Sequence, residues 1–430
     1  MVVQNDRTSV SGGALDERTS VSRSASERLS EPPQLYCLPV IYLPANSALP
    51  VALPMSVASG RGQGDLDAVV ESASRMKRTL QETLVTPAQL AHLLERLWQP
   101  MAAVAAAPID ADESPPTFAS LTTAAPDFSP VMAAACAIYD QYFGVVRGAA
   151  LTWPQFTTQV VHTCLALLPD LPHTLLDRAQ LNQLIATMME MFSVLAERGQ
   201  ETGGQDTTRH PLLATHHSPP ATLYQQAWQS TDPADRAWCE RVAFYRWKVG
   251  HHFFNWCAIF CRDALVQAHA AIAADDIDRG AAQLGQAECF LRGSTAAMWY
   301  AGDFPARLYQ TVIRPSMIMP GAPAGFSGDQ NADYNRMKTA KQELKGFLRA
   351  HYGQDLVALP SMLRHALLQF HEADIQDNEH HLLIAAQKVG TDQSLAQKEW
   401  QAELPAHVYR QHALDILRQM AEMKRREFGG

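Results

Sequence analysis

Apolar residues recur three and four positions apart through most of this chain, and that spacing predicts helices. Helices are predicted over 66–98 (with a break and restart at Thr86-Pro87), 130–143, 153–168 and 175–197. Further on they are predicted over 232–274, 276–300, 331–352, 359–388 and 405–426. Asp232-Pro233 opens one of them with an acidic N-cap and proline at the first helical position, and Asp275-Asp276 opens the next. Gly250 is where a kink is expected. No repeated strand alternation and no glycine-rich strand-to-helix turn is present, so the fold class read from the pattern is all-α.

Three stretches lack the helical period. Residues 1–34 are rich in Ser, Arg, Glu and Gly and read as a disordered tail. Residues 35–57 are apolar but broken by prolines, which suits an extended segment lying over a helical body rather than a helix or a central strand. Residues 108–130 read as a linker and 198–220 as a long polar loop. The resulting division is a tail over 1–34, an N-terminal part over 35–220 and a denser helical part over 221–430.

Composition narrows the function. The net charge is −9, which argues against nucleic-acid binding, because phosphate recognition needs clustered Lys and Arg. No run is long and apolar enough to predict a transmembrane span. The first residues are polar and have no apolar signal segment. The seven cysteines lack framework spacing and read as reduced thiols. Together these predict a cytoplasmic location.

Candidate chemistry clusters in the second half. His251-His252 lie beside Phe253, Phe254 and Trp256, an aromatic wall around groups that exchange protons near neutrality. Cys257 and Cys261 share a helix face, but no CxxC pair completes a zinc site, and they read as small core residues. Arg314 in IRPSM could grip a carboxylate bidentately. His371, His380 and His381 sit on one predicted helix that ends at Val389-Gly390-Thr391. His380 and His381 point about 100° apart, so one of them can face a given ligand.

Taken in order, GHHFF, FLRGSTAAMWYAGDFPARLY, IRPSM, GFSG and EHHLLIAAQKVGT resemble the heme-dependent aromatic oxygenases of the tryptophan 2,3-dioxygenase superfamily. The branch of bacterial tyrosine hydroxylases and peroxygenases is the more similar one, over residues 235–420. The resemblance implies a helical bundle enclosing a heme b pocket. It implies His381, or His380 in its place, as the axial ligand of the heme iron. His252, or His251 in its place, would act on the bound oxidant, with Phe254 and Trp256 lining the cofactor. For the substrate it implies Arg314, Ser327 and Gly328 of GFSG, Thr391, and Arg336 at a shifted offset. The substrate would be an aromatic amino acid, tyrosine or a derivative, oxidised with O2 or hydrogen peroxide in antibiotic biosynthesis. The dioxygenases' glycine-rich continuation is replaced by Asp392-Gln393-Ser394, which points away from indole cleavage. Some tyrosine peroxygenases attach heme through a Cys four residues after the ligand; Ile384 and Ala385 stand there, so noncovalent heme is implied. Three alternatives stay open: oxidation of a tryptophan derivative in the same fold, a heme-binding sensor without turnover, and a helical scaffold with no cofactor. Residues 35–220 are left to cover the pocket or to form the interface of a homodimer.

Overall fold

A computed structural model describes residues 41–44, 71–72, 75, 96, 101, 129–148, 151, 153–200, 227–318, 330–353 and 358–388. The tail, the linker before Ser129, the last predicted helix, and most of the polar loop lie outside the described residues, as do Ser327, Gly328 and Thr391. The described part is all-α, apart from one pair of four-residue strands. These are β1 (Ile41–Pro44) and β2 (Val145–Gly148), which run parallel with Ile41 opposite Val145. The extended segment thus acquires a partner, and its proline falls at the strand end, where a missing donor costs least.

The helices are α1 (Pro130–Phe143), α2 (Trp153–Leu167), α3 (Arg178–Gln200), α4 (Pro233–Ala273), α5 (Ile277–Ala301), α6 (Ala332–Tyr352) and α7 (Ser361–Lys388). A 3-10 segment, Leu168–His173, joins α2 towards α3. Between α5 and α6 run a turn at Ala306–Leu308, a π-helix at Tyr309–Ile313 and a last turn at Arg314–Ser316. The predicted caps form: Asp232 accepts from Ala234 N at 2.8 Å, and Asp276 accepts from Arg279 N. Asn331 caps α6 by accepting from Tyr334 N at 3.0 Å.

The 41-residue α4 is the axis of the fold. Every residue from Lys248 to Cys261 is buried, so this stretch is surrounded rather than amphipathic. α5 returns along it, while α1, α2 and α6 cover its other sides, and α5 carries α3 and α7 on its outer face. The helix runs through Gly250 without a break. A Cβ there would lie 2.5 Å from Ala301 Cβ and 2.8 Å from its Cα, so the glycine serves close approach of α5.

Two ion networks tie the periphery to this axis. Arg246, fully buried, donates to Asp170 through Nε and Nη2 (2.7 and 3.0 Å) and to the Asp303 carboxylate through Nη1 (2.8 Å). It also donates to the His173 carbonyl, and Tyr300 Oη donates to Asp170 at 3.0 Å. Arg147 of β2 bridges Asp140 of α1 and Asp333 of α6 at 2.7 to 3.0 Å. Each fork satisfies a buried guanidinium and fixes three elements at one point.

Candidate functional site

On α4, Lys248, His251, His252 and Asn255 fall at i, i+3, i+4 and i+7, which places them on one face. All four are buried. The face meets the C-terminal end of α1. His252 Nε2 lies 2.5 Å from the Phe143 carbonyl, one of the carbonyls a helix end leaves open. A carbonyl attracts a protonated nitrogen, so Nε2–H donates there and Nδ1 keeps its lone pair. That Nδ1 is buried and has no hydrogen-bond partner among the described residues.

His251 is held the opposite way round. Its Nδ1 lies 2.6 Å from the Trp247 carbonyl one turn back, which leaves the lone pair on Nε2. Its ring stacks on Phe143 at 4.2 Å and lies 4.3 Å from Trp247, whose other neighbour is Tyr309 of the π-helix at 5.9 Å. Burial pushes the His251 pKa down to about 3 and that of His252 down to about 4. Both are therefore neutral imidazoles at neutral pH, the form that offers a lone pair to a metal or a proton.

His381, on the last turns of α7, repeats the His251 arrangement. Its Nδ1 lies 3.0 Å from the Asp377 carbonyl and 3.5 Å from the Asp377 carboxylate. The carboxylate itself is buried and accepts from Thr295 Oγ1 of α5 at 2.8 Å. His381 is near enough to His251 to contribute to lowering its pKa, so the two imidazoles lie within electrostatic reach of each other. His380 turns towards Trp299 of α5, at 5.9 Å edge to face, and burial lowers its pKa. His371, also on α7, is buried.

The other predicted residues divide. Arg314 is buried at the end of the π-helix, close to Tyr309, which feels its charge. Arg336 is buried, and its charge helps to lower the Asp140 carboxyl against burial. Phe254 packs on Tyr334 of α6 at 5.6 Å. Trp256 donates from Nε1 to Thr163 of α2 at 2.8 Å and stands edge-on to Phe156. Those two rings face α6 and α2, whereas His251 faces α1 and Trp247. Cys257 and Cys261 are buried with raised pKa values, as core thiols are. Among the described residues no group of three or more His, Cys, Asp or Glu forms a metal cage. No helix among them is long and apolar enough to cross a membrane.

Lys248, Asn255 and Asp377 are the additions that the sequence reading lacked. Asn255 accepts from Asn331 at 2.6 Å, which also donates to Tyr139. The available signal was the polar stripe itself, four polar residues at helical spacing in an otherwise apolar run.

Residues 49–366 match the model of the family described as SfmD 3-methyl-L-tyrosine peroxygenase. A 3-methyl-L-tyrosine peroxygenase of Streptomyces lavendulae is 28% identical over 153 residues, 34% of this chain. The match spans 40% of that relative's length. A crystal structure of reduced SfmD, soaked with sodium hydrosulfite, aligns with TM-score 0.42 at 23% identity. That alignment covers 80% of this chain and 98% of the other. The stripe on α4, Arg314 and Arg336 fall inside the family match, while His380 and His381 follow its end.

Proposed function

The chain belongs to the SfmD 3-methyl-L-tyrosine peroxygenase family, and from that membership we propose that it is a heme-dependent peroxygenase. It hydroxylates the ring of tyrosine or a tyrosine derivative in secondary metabolism. The observation that carries this reading is the pair His251 and His381. Each is locked by its own helix with Nδ1 on a carbonyl four residues back, so that Nε2 presents a lone pair. A ring nitrogen tethered in this way is the usual state of a metal-bound histidine. The donor set fits a heme: imidazole nitrogens held in place by their tethers, and an aromatic surround of Phe143, Trp247 and Tyr309.

In this reading His381, tethered by Asp377, would hold the heme iron, with His380 as second choice, and His252, or His251 in its place, would act on the oxidant. The lone pair on His252 Nδ1 makes that ring a proton acceptor in the same wall. Bound heme supplies the transfer of one oxygen atom from hydrogen peroxide to an aromatic C–H, with water as the other product. The chain's own residues keep the site dry and move the protons: a neutral buried imidazole takes one from peroxide and returns it to the leaving oxygen. The aromatic rings around His251 hold the substrate ring by packing.

The test is an absorption spectrum and a product assay with peroxide and L-tyrosine, run on wild type, His381→Ala and His251→Ala. A Soret band lost or shifted in His381→Ala, with hydroxylated product from wild type, is the expected result. A band unchanged in His381→Ala and lost in His251→Ala would exchange their roles. Absence of heme uptake by wild type would end the reading. The matching tethers of His251 and His381 also favour a second reading, a six-coordinate heme sensor. Heme binding without any product from tyrosine or tryptophan derivatives would select it.

A further inference from the structure

Lys248 has no assigned role, and its setting is unusual. It is more than nine-tenths buried, with 8% of its surface exposed. No carboxylate pairs with it among the described residues. Its ammonium sits 3.4 Å from the centroid of the Tyr142 ring and 5.2 Å from that of Phe143. The Tyr142 hydroxyl is in turn 2.8 Å from Ser316 Oγ, on the irregular segment that carries Arg314. A ring face attracts a cation but supplies no counter-charge. By comparison, the fully buried Arg246 is forked between two aspartates, and the partly buried Arg147 and Lys341 also meet aspartates. Lys248 lies on the face that also presents His251 and His252, both of which feel its charge.

We infer that Lys248 is the carboxylate-binding cation of this site, meeting either the amino acid's α-carboxylate or a propionate of the heme. The inference rests on the functional reading above for the identity of those ligands. Chemistry favours a carboxylate because the surroundings are apolar and aromatic, so a compact anion restores the missing counter-charge. Position favours the site, since one helical turn separates Lys248 from His252. Burial holds the ammonium pKa down to about 7, and an arriving anion favours the charged form. Nothing covalent is involved; the ammonium donates hydrogen bonds to the carboxylate oxygens.

The experiment compares wild type, Lys248→Met and Lys248→Arg as full-length protein reconstituted with heme. Binding of L-tyrosine and of tyramine, which lacks the carboxylate, is measured for each, alongside heme affinity by titration. If the amino acid is the ligand, Lys248→Met loses about thirtyfold or more in L-tyrosine binding, keeps tyramine binding and keeps heme. If a propionate is the ligand, Lys248→Met loses heme affinity, and tyrosine and tyramine fall together. Lys248→Arg retains the charge and restores part of whichever loss occurs. Unchanged heme affinity with an unchanged tyrosine-to-tyramine ratio in Lys248→Met overturns the inference and makes Lys248 a packing cation on Tyr142. Wild type that takes up no heme refutes the functional reading, and the tyrosine-to-tyramine ratio of the apoprotein then decides Lys248 by itself.

Discussion

Gly250→Ala tests whether the approach of α5 to α4 is what this glycine is for. An added Cβ would sit 2.5 Å from Ala301 Cβ, 2.8 Å from Ala301 Cα and 2.9 Å from Ala301 N. Carbon atoms in comfortable contact are about 3.5–4.0 Å apart, so the two helices must separate by about 1 Å. Two of the three obstructing atoms are backbone, and no rotamer change removes them. Overpacking of this kind costs about 1–3 kcal/mol, and the rigid obstacle puts this case near the top. Alanine returns about 1 kcal/mol of helix propensity. The expected net loss is about 2 kcal/mol. Gly285→Ala is the control, because nothing lies within 4 Å of a Cβ there; it is expected to gain up to about 1 kcal/mol. Urea unfolding at unchanged m-value reads both. Adding Ala301→Gly to Gly250→Ala removes the Cβ contact alone and should recover only part of the loss. Gly250→Ala as stable as wild type, or full recovery by Ala301→Gly, would refute the reasoning. The next residue is His251, so the same shift should also disturb heme binding.

Two more predictions concern buried charge. Arg246→Met leaves Asp170 and Asp303 facing each other without their cation and should cost about 3–5 kcal/mol. Arg246→Lys should recover little, since an ammonium cannot reproduce the fork. A urea midpoint for Arg246→Met close to that of wild type would contradict this. His173 is buried, and burial lowers its pKa from 6.5 to about 4. The unfolded chain therefore binds the proton first, so this contribution is complete above about pH 6.5 and drains away as pH falls towards 4. Between pH 7 and pH 5 it amounts to about 2 kcal/mol. His173→Gln should flatten the stability profile by that amount, and an unchanged slope would show that the imidazole charges freely in the folded protein.

The helices were legible because their signals are local. Proline at the first turn, Asp and Asn caps and the 3.6-residue period fixed α1, α4, α5 and α6 to within a residue or two. β2 was not legible, since four residues are too few to show alternation, and its pairing depends on a distant partner. The π-helix leaves no composition signal in YQTVI. Gly250 was read as a kink position because sequence shows a missing Cβ but not what approaches it. At the site, the two adjacent histidines were visible, yet their roles depend on which carbonyl each ring meets. His252 meets the end of another helix and His251 its own, and neither partner follows from residue order. The buried Arg246 and the partly buried Arg147 look like surface residues in a sequence. Only their aspartate partners, from separate elements, make burial tolerable.

The pairing of β1 with β2 also bears on the order of assembly. The partners lie about a hundred residues apart in the chain. Closing a loop of that length costs about 4 kcal/mol of chain entropy, more than a four-residue ladder can return by itself. The strand pair therefore forms after α1 and Arg147 have anchored β2 to α6. On the way out it is the first contact to release, so amide exchange at Ile41, Tyr42 and Leu43 should show the least protection among the described elements.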